Sequence, residues 1–387
     1  MRLYGASRSL LALLEGFRAH GVETCTIIPG PGLMLQTLQA QGFATEVVAF
    51  PTWVTEREAP VDAEARRAAE ARGVAAIVAL LRRLRPDAVW SNTSVFATGA
   101  LAAAAVELPH IWHLREASGG GEAFSFVDGS PAAMSLMRAA RQRVAVSRAV
   151  QAHYEGLGSG PCTVIYNGVG AARDLAARPE PTPLRTPLRM LVAARMHREK
   201  GQVAAIEATH RLVQAGHRVA LRIVGGGPLQ PCREAIARLG LDAVVTLAGF
   251  IADIDAEYRG ADLVLTCSSS EAMGRATAEA MSYGLPVVGC DRLGTAELIA
   301  HERTGVLCDG SADGLAGAVA WLLEHPRAAR AIGARAQRVA QQRFSNDACT
   351  GAALAVLEQV GAAPAGDARH SATASHAAGA TNERYRE

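Results

Sequence analysis

The stretch DLVLTCSSSEAMGRATAEAMSYGLPVVGC, residues 262–290, decides the fold of the chain. It reads as a short apolar strand, a loop of small residues, a helix and a second apolar strand. Apolar runs that alternate with helical patterns in this way build parallel sheets covered by helices. The same alternation occurs along both halves of the sequence. We therefore predict an α/β protein with two Rossmann-like domains that face each other across a cleft.

A proline-rich segment sets the predicted domain boundaries. Apolar strand patterns recur up to residue 168 and restart at residue 188, and between them RPEPTPLRTP (178–187) carries four prolines. Such a segment without an apolar period is typical of a linker. We expect five parts: a Rossmann-like domain at 1–178, a linker at 179–187, a second Rossmann-like domain at 188–345, a carboxyl-terminal helix at 346–360 and a disordered tail at 361–387.

The beginning of the sequence leaves little room for the first strand that a Rossmann-like domain needs. Only Met1 to Tyr4 precede Gly5 and the helical pattern SRSLLALLEGFRAHG. We expect the first strand to be missing upstream of Met1, with a very short strand as the alternative.

Composition excludes several classes of protein. Hydrophobic residues make up 49% and charged residues 20% of the 387 residues, which excludes a largely disordered chain. The net charge is +2 without a basic cluster, so nucleic acid is not expected as a partner. Seven cysteines without a C-x-x-C pair favour reduced thiols and no metal site. No apolar stretch is long enough for a membrane helix. We expect a cytoplasmic protein without stable membrane insertion.

Two glutamates frame the helix of the decisive stretch. Glu271 lies in the loop and Glu279 lies eight residues later, which corresponds to about 12 Å of helical rise. Between them, the free N–H groups and the positive dipole end of the helix suit a diphosphate. Glutamates at this spacing also occur by chance on exposed helices. The surrounding small residues and the following G-x-P-V-V favour a binding site, in which Gly274, Arg275 and Ala276 supply the N–H groups.

Lys200 is the one lysine among 39 basic residues, and it lies in the segment VAARMHREKG at 192–201. This segment, together with the 268–288 motif, resembles the retaining GT-B glycosyltransferases of family 4. The resemblance covers most of the chain up to about residue 360. It implies that Arg195 and Lys200 contact the diphosphate of a sugar-nucleotide donor. The usual glycine before the arginine is Ala194 here.

The same resemblance assigns the other expected contacts. It implies that Glu271 binds sugar hydroxyls, that Glu279 binds the ribose, and that His113 in HLREAS faces the donor sugar. A lone histidine is also commonly a structural residue. The glycine turn IVGGGP is expected to contact the donor through Gly226, and Phe250 and Ile251, at the end of LAGF and just after it, are expected to contact the base. In the first helix, Gly5 and Ala6 of YGASRSLL are expected to lie near the donor phosphates and the acceptor. The family's usual glycine pair is Gly5-Ala6 here.

The implied reaction is transfer of a hexose from UDP-glucose or UDP-N-acetylglucosamine to a hydroxyl, with retention of configuration and without a metal or other cofactor. Within the family, YGASRSLL, HLREAS and the overall length resemble the 2-deoxystreptamine glycosyltransferases of kanamycin-type aminoglycoside antibiotic biosynthesis. The resemblance implies that the domain at 1–178 binds the acceptor and that the domain at 188–345 binds the nucleotide sugar. Its partners would be two small molecules, the donor and an aminocyclitol acceptor. An acidic loop at 116–128, with Glu116, Glu122 and Asp128, agrees with a dicationic acceptor. The oligomeric state stays open.

Alternatives remain open at this point. The acceptor of another family 4 hexosyltransferase could be an envelope component or a thiol precursor, and a GT-B UDP-sugar epimerase would need no acceptor. Asp253-x-Asp255 resembles a metal-binding D-x-D motif, but we expect it to open a short helix as a cap. The basic amphipathic stretch at 66–86 could touch a membrane, but it reads more simply as a half-exposed Rossmann helix. We expect Asn167 to make a structural contact between domains.

Overall fold

A computed structural model of the chain describes residues 5–56, 62–117, 124–251 and 253–362. Within these ranges, two groups of parallel strands are covered by helices, one group on each side of the proline-rich segment. The predicted α/β fold with parallel sheets is confirmed. The exact domain boundaries, including the linker at 179–187, stay a prediction.

The first half contains short strands and mostly short helices. Its strands are β1 (Cys25–Ile28), β2 (Ala44–Val47), β3 (Val54–Glu56), β4 (Val89–Ser91), β5 (His110–Leu114), β6 (Phe124–Phe126), β7 (Gln142–Ala145) and β8 (Thr163–Val164). Its helices are α1 (Gly5–Ala19), α2 (Leu33–Ala40), α3 (Ala63–Leu84), α4 (Thr98–Ala105), α5 (Ser130–Ala139), α6 (Arg148–Leu157) and α7 (Ala172–Ala176).

Three sheets form in this half. The main sheet is parallel with the order β4-β5-β7-β8, β1 pairs with β2 in parallel, and β3 pairs with β6 antiparallel. All five residues of β5 are buried, as expected for a central strand covered on both faces. The very short first strand that was the alternative would fall on residues 1–4, which lie outside the described residues. Helix α1 begins at Gly5, so Gly5 and Ala6 form its first residues.

The second half forms one larger sheet. Its strands are β9 (Leu188–Ala193), β10 (Val219–Val224), β11 (Val245–Gly249), β12 (Leu263–Thr266), β13 (Val287–Cys290) and β14 (Val306–Cys308). Its helices are α8 (Gln202–Gln214), α9 (Gln230–Leu239), α10 (Ile254–Gly260), α11 (Arg275–Ser282), α12 (Leu293–Leu298), α13 (Ala312–Glu324) and α14 (Pro326–Arg343), with a 3-10 turn at Arg198–Lys200 before α8.

The strand order of this sheet is β11-β10-β9-β12-β13-β14, and all its pairs are parallel. Every residue of β12 and β13 is buried, which explains their continuous apolar sequences. The chain extends the sheet in one direction from β9 to β11 and then in the other from β12 to β14. Ligands of open α/β sheets bind at such a reversal point.

The last helix returns to the first half. Helix α15 (Asn346–Gln359) follows α14 and packs on α1, where Val356 and Leu357 share a core with Leu13 and Phe17. The crossing is fixed by two backbone hydrogen bonds, from Val169 N–H to the Phe344 carbonyl at 2.8 Å and from Asn346 N–H to the Gly170 carbonyl at 2.8 Å. The tail expected to be disordered begins with Gly361 and Ala362, and its remainder at 363–387 lies outside the described residues.

The basic stretch at 66–86 lies in α3 and in the residues that follow it. Asp62 caps this helix by accepting the Ala65 N–H at 2.9 Å, and Arg85 ends it in the left-handed conformation. Ile77 and Leu81 pack on Ala102 of α4, so this is the expected half-exposed Rossmann helix. None of the helices in the described ranges has both the length and the apolar composition that crossing a bilayer requires.

Candidate active site

A cleft opens between the two halves at the carboxyl ends of β9, β10 and β11. Gly5 and Arg8 of α1 line one side of it, and residues of the second half line the other. This is the edge of a parallel sheet at which ligands bind, beside the reversal of strand order between β9 and β12. Six of the predicted site residues line the cleft together: Gly5, Arg195, Gly226, Phe250, Ile251 and Glu279.

The glycine run after β10 lies directly against the loop after β9. A Cβ atom on Gly225 would come within 1.8 Å of the Ala194 carbonyl oxygen, and one on Gly227 within 2.7 Å of the Met196 carbonyl oxygen. The Met196 N–H also donates to the Gly226 carbonyl at 2.9 Å. Close backbone packing therefore explains the glycines at 225 and 227, while a donor contact at Gly226 stays a prediction.

An aromatic side chain stands at the edge of the cleft. Phe250 follows β11 and is 44% exposed, whereas the neighbouring Ile251 packs partly on the core. An exposed aromatic ring beside polar groups offers a flat face on which a nucleobase can stack. The position suits the base contact expected for both residues, which stays a prediction.

Glu279 has three side-chain partners in the cleft wall. Its Oε1 accepts from Arg275 Nε at 2.9 Å and pairs with Arg8 Nη1 at 3.0 Å, while its Oε2 accepts from the Tyr258 hydroxyl at 3.0 Å. Burial, followed by the charge and hydrogen bond of Glu279, raises the pKa of Tyr258 well above its ordinary value. The carboxylate is therefore held in a fixed place, with Tyr258 as a neutral donor.

The helix between the two glutamates is shorter than expected. Helix α11 begins at Arg275, so Glu271 and the residues up to Gly274 form a loop, and the rise of about 12 Å expected for eight helical residues does not apply. Gly274 sits in the left-handed conformation with φ +86, which a glycine adopts at little cost. Because glycine has no side chain, it leaves the amino end of α11 uncapped, and the first turn includes Arg275 and Ala276.

Lys200 and Glu271 meet across the reversal point of the sheet. Lys200 Nζ lies 2.6 Å from Glu271 Oε1 and 3.3 Å from the Ser270 carbonyl oxygen. Both side chains are about one-quarter exposed, at 24% and 25%. Lys200 ends the 3-10 turn after β9, and Glu271 follows β12. The fold thus brings a cation and a carboxylate, 71 residues apart in sequence, to one edge of the sheet.

The fold matches solved glycosyltransferase structures over most of the chain. The structure of Anabaena Alr3699/HepE in complex with UDP and glucose superposes with a TM-score of 0.76 at 23% identity, covering 92% of this chain and 96% of that one. A glycosyltransferase from Rickettsia africae superposes with a TM-score of 0.75 at 19% identity, covering 92% and 94%. At this identity the likeness establishes the fold.

Two protein-family models divide the chain between them. The model described as Glycosyltransferase Family 4 matches residues 4–173, and the model described as Glycosyl transferases group 1 matches residues 176–339. The chain belongs to the family 4 GT-B glycosyltransferases.

Curated relatives of this GT-B glycosyltransferase match over shorter stretches. The amylovoran biosynthesis glycosyltransferase AmsK of Erwinia amylovora is 38% identical over 143 residues, which are 34% of this chain and 35% of the relative. A D-inositol 3-phosphate glycosyltransferase from Pseudarthrobacter chlorophenolicus is 34% identical over 128 residues, 31% and 30% of the two chains. The matched part therefore spans about a third of each relative.

A buried polar cluster lies behind the cleft of this glycosyltransferase. Arg115 follows β5 and donates to Asn92 Oδ1 at 2.9 Å and also to Asn167 Oδ1. His113 Nδ1 lies 3.4 Å from Arg115 Nη2, and burial and then the charge of Arg115 hold the pKa of His113 well below its usual range. His113 is 1% exposed and is enclosed by protein atoms. The expected contact of His113 with the donor sugar stays a prediction.

Asn167 also bonds across the domains. Its N–H donates to the Met273 sulfur at 3.1 Å, which is the kind of structural contact that the sequence predicts. A second bridge comes from Glu297 of α12, which accepts the N–H groups of Arg148 and Ala149 at 2.9 and 3.0 Å, at the amino end of α6. The two halves are thus joined by polar contacts at several points beside the cleft.

Two of the three acidic residues at 116–128 have protein partners. Glu116 accepts from Thr93 Oγ1 at 2.9 Å and from Ser94 N–H at 3.1 Å, and Asp128 pairs with Arg66. Glu122 lies outside the described residues. Glu116 is thus hydrogen-bonded within the fold, and Asp128 is ion-paired while its side chain stays 46% exposed.

The D-x-D sequence is a helix cap. Asp253 precedes α10 and accepts the Asp255 N–H at 3.1 Å, as expected for a short helix start. Within the described residues, no group of three or more His, Cys, Asp or Glu side chains is arranged to hold a metal ion.

Three side chains that contact Glu279 were missed by the sequence analysis. Arg8 lines the cleft and Tyr258 lies buried behind Glu279, and neither was predicted as a site residue. Arg275 was predicted only through its backbone. The four-residue spacing of Arg275 and Glu279 on α11 indicates their ion pair. No local pattern indicates Arg8, because its partner Glu279 lies in the other half of the chain.

Proposed function

We propose that the chain transfers glucose or N-acetylglucosamine from a UDP-sugar to an acceptor hydroxyl with retention of configuration. The observation that carries this proposal is the meeting of Arg195, the Gly226 turn and Glu279 in one cleft between two Rossmann-like halves. Such an edge of parallel strands suits a nucleotide. A structural relative at 23% identity is described in complex with UDP and glucose, which supports this donor class.

The proposed roles follow from charge and position. Arg195 and Lys200 stabilise the negative charge that develops on the departing diphosphate, without a metal ion. The first-turn N–H groups of α11, at Arg275 and Ala276, bind the same phosphates. Phe250 and Ile251 contact the base, Glu279 accepts from the ribose, and Glu271 accepts from the sugar hydroxyls once Lys200 turns to the diphosphate.

For the acceptor we propose 2-deoxystreptamine, on the sequence resemblance alone. The loop carboxylates lend it less support than the sequence analysis expected, since Glu116 and Asp128 are engaged within the fold. A second acceptor class, the hydroxyl of an envelope or polysaccharide precursor, is favoured by relatives such as the amylovoran biosynthesis glycosyltransferase.

The test is an acceptor screen read by mass spectrometry. The purified chain is incubated with UDP-glucose or UDP-N-acetylglucosamine, together with 2-deoxystreptamine, an inositol phosphate or a lipid acceptor, or with no acceptor. A pseudodisaccharide formed from 2-deoxystreptamine supports the aminocyclitol acceptor. If another acceptor is glycosylated and 2-deoxystreptamine is not, the aminocyclitol acceptor is wrong. A new sugar nucleotide formed from donor alone would identify an epimerase.

Lys200→Ala links the activity to the cleft. We expect kcat to fall by about 10²–10³, the range found when one group that stabilises developing charge is removed. Arg198→Ala is the matched control, because Arg198 is an exposed cation in the same 3-10 turn and has no proposed role. Unchanged kcat/KM in a folded Lys200→Ala variant contradicts the proposed mechanism.

A further inference from the structure

Two arginines from opposite sides of the cleft share one carboxylate oxygen. Arg8 Nη1 lies 3.0 Å from Glu279 Oε1, and Arg275 Nε donates to the same atom at 2.9 Å. The second oxygen accepts from Tyr258. A single negative charge therefore faces two positive charges, and the lining of the cleft adds a third cation, Arg195. The described wall of the cleft has an excess of positive charge.

The two arginines are held very differently. The Arg275 side chain is 17% exposed, and its Nη1 donates to Ser9 Oγ at 2.9 Å and to the Gly168 carbonyl at 2.8 Å. The Arg8 side chain is 41% exposed and reaches Glu279 from the first turn of α1. Arg275 is thus a fixed part of the structure, whereas Arg8 can leave Glu279 by rotating its side chain into the cleft.

A bound nucleotide would change the partners of both groups. A ribose hydroxyl would donate a hydrogen bond to Glu279 and compete there with Arg8, since Arg275 and Tyr258 already occupy the buried side of the carboxylate. A diphosphate in the same cleft carries at least two negative charges and offers Arg8 a new partner. Arginine binds phosphate oxygens through several N–H groups at once.

We propose that Arg8 is a diphosphate-binding residue of the first domain, held on Glu279 while the cleft is empty and released to the diphosphate when the ribose takes its place. This inference rests on the proposed UDP-sugar donor. It adds a cation from the acceptor-binding side to those of the second domain. It also couples the recognition of the two parts of the nucleotide, because the ribose displaces the same side chain that the diphosphate then binds.

The coupling separates two ligands that share a base and a ribose. Uridine has to displace Arg8 and offers it no new partner, whereas UDP displaces it and then binds it. Removing Arg8 should therefore weaken the binding of UDP and leave the affinity for uridine unchanged or higher. If Arg8 only holds the two halves together, its removal weakens both ligands alike.

The experiment measures both affinities by calorimetry on the full chain. The Kd of UDP is measured directly and the Kd of uridine by displacement of UDP, for the wild type, Arg8→Ala, Arg8→Lys and the control Arg198→Ala. We expect Arg8→Ala to raise the Kd of UDP about tenfold, which corresponds to about 1.4 kcal/mol, without raising that of uridine. Arg8→Lys should recover part of the UDP affinity, and Arg198→Ala should match the wild type.

Equal weakening of UDP and uridine in Arg8→Ala, or no effect on UDP, overturns the inference. A wild-type chain that does not bind UDP contradicts the proposed donor instead, so the two failures are distinguishable. Circular dichroism of each variant establishes that it is folded, and a misfolded Arg8→Ala leaves Arg8→Lys to carry the comparison. In that case, an equal loss of affinity for UDP and for uridine in Arg8→Lys, relative to the wild type, overturns the inference.

Discussion

Replacing Gly201 by alanine should disturb the turn that carries Lys200. Gly201 lies between the 3-10 turn and α8 with φ +67, and an added Cβ would come within 2.3 Å of the Cys267 carbonyl oxygen and 2.7 Å of Cys267 Cβ. The neighbouring atoms include backbone at the end of β12, so they cannot simply rotate away. Alanine at this position therefore combines a strained backbone with a steric clash.

Gly216 provides a matched control just beyond the other end of the same helix. It has φ +85, but a Cβ there would meet no atom within 4 Å. The left-handed backbone costs an alanine roughly 1 kcal/mol at either position. At Gly201, overpacking adds about 1–3 kcal/mol. We expect Gly201→Ala to lower the free energy of unfolding by about 2–4 kcal/mol and Gly216→Ala by about 1 kcal/mol.

The assay is urea denaturation of both variants, followed by far-ultraviolet circular dichroism, with the Kd of UDP as a second readout. Gly201→Ala should also weaken the binding of UDP, because the turn positions Lys200, whose Nζ lies 2.6 Å from Glu271 Oε1 and which we propose to contact the diphosphate. Gly216→Ala should bind UDP as the wild type does. Equal destabilisation by the two substitutions would refute the reasoning, since the clash would then contribute nothing.

Two further predictions concern buried groups. Glu279→Ala removes the carboxylate that accepts from Arg275 Nε and from the Tyr258 hydroxyl. It should lower the free energy of unfolding by about 3 kcal/mol, besides removing activity, and urea denaturation that matches the wild type would contradict this. Burial lowers the pKa of His110 to about 4, so between pH 6.5 and about 4 the unfolded chain binds a proton there that the folded protein does not. The free energy of unfolding should therefore fall as the pH falls through this window, by up to about 3 kcal/mol. Urea denaturation at several pH values measures this fall, and it should be smaller in a His110→Gln variant than in the wild type.

Local patterns were sufficient for the framework of the fold and for much of the cleft. Continuous apolar runs gave β12 and β13 because parallel strands are buried on both faces. Strands as short as β3, β6 and β14, with three residues each, carry too little periodicity to be distinguished from a loop. The position of Glu279 in the cleft also followed from its helix.

The partners of the site residues could not be predicted in the same way. The pairs of Arg8 with Glu279 and of Lys200 with Glu271 join residues that are distant in sequence and that meet only when the chain folds. The engagement of Glu116 by Thr93 and Ser94 likewise depends on the neighbouring β4 loop. A carboxylate in a loop gives no local sign of whether its charge faces solvent or the protein.

The return of α15 to the first half makes that half discontinuous in sequence. Its core includes Val356 and Leu357 as well as Leu13 and Phe17, so the whole second half is inserted between two parts of the first. Domains usually complete their folding in the order of synthesis. Here the first domain cannot complete its core before α15 has been translated, because Val356 and Leu357 belong to that core. Until then, the apolar face of α1 lacks the helix that covers it in the folded protein.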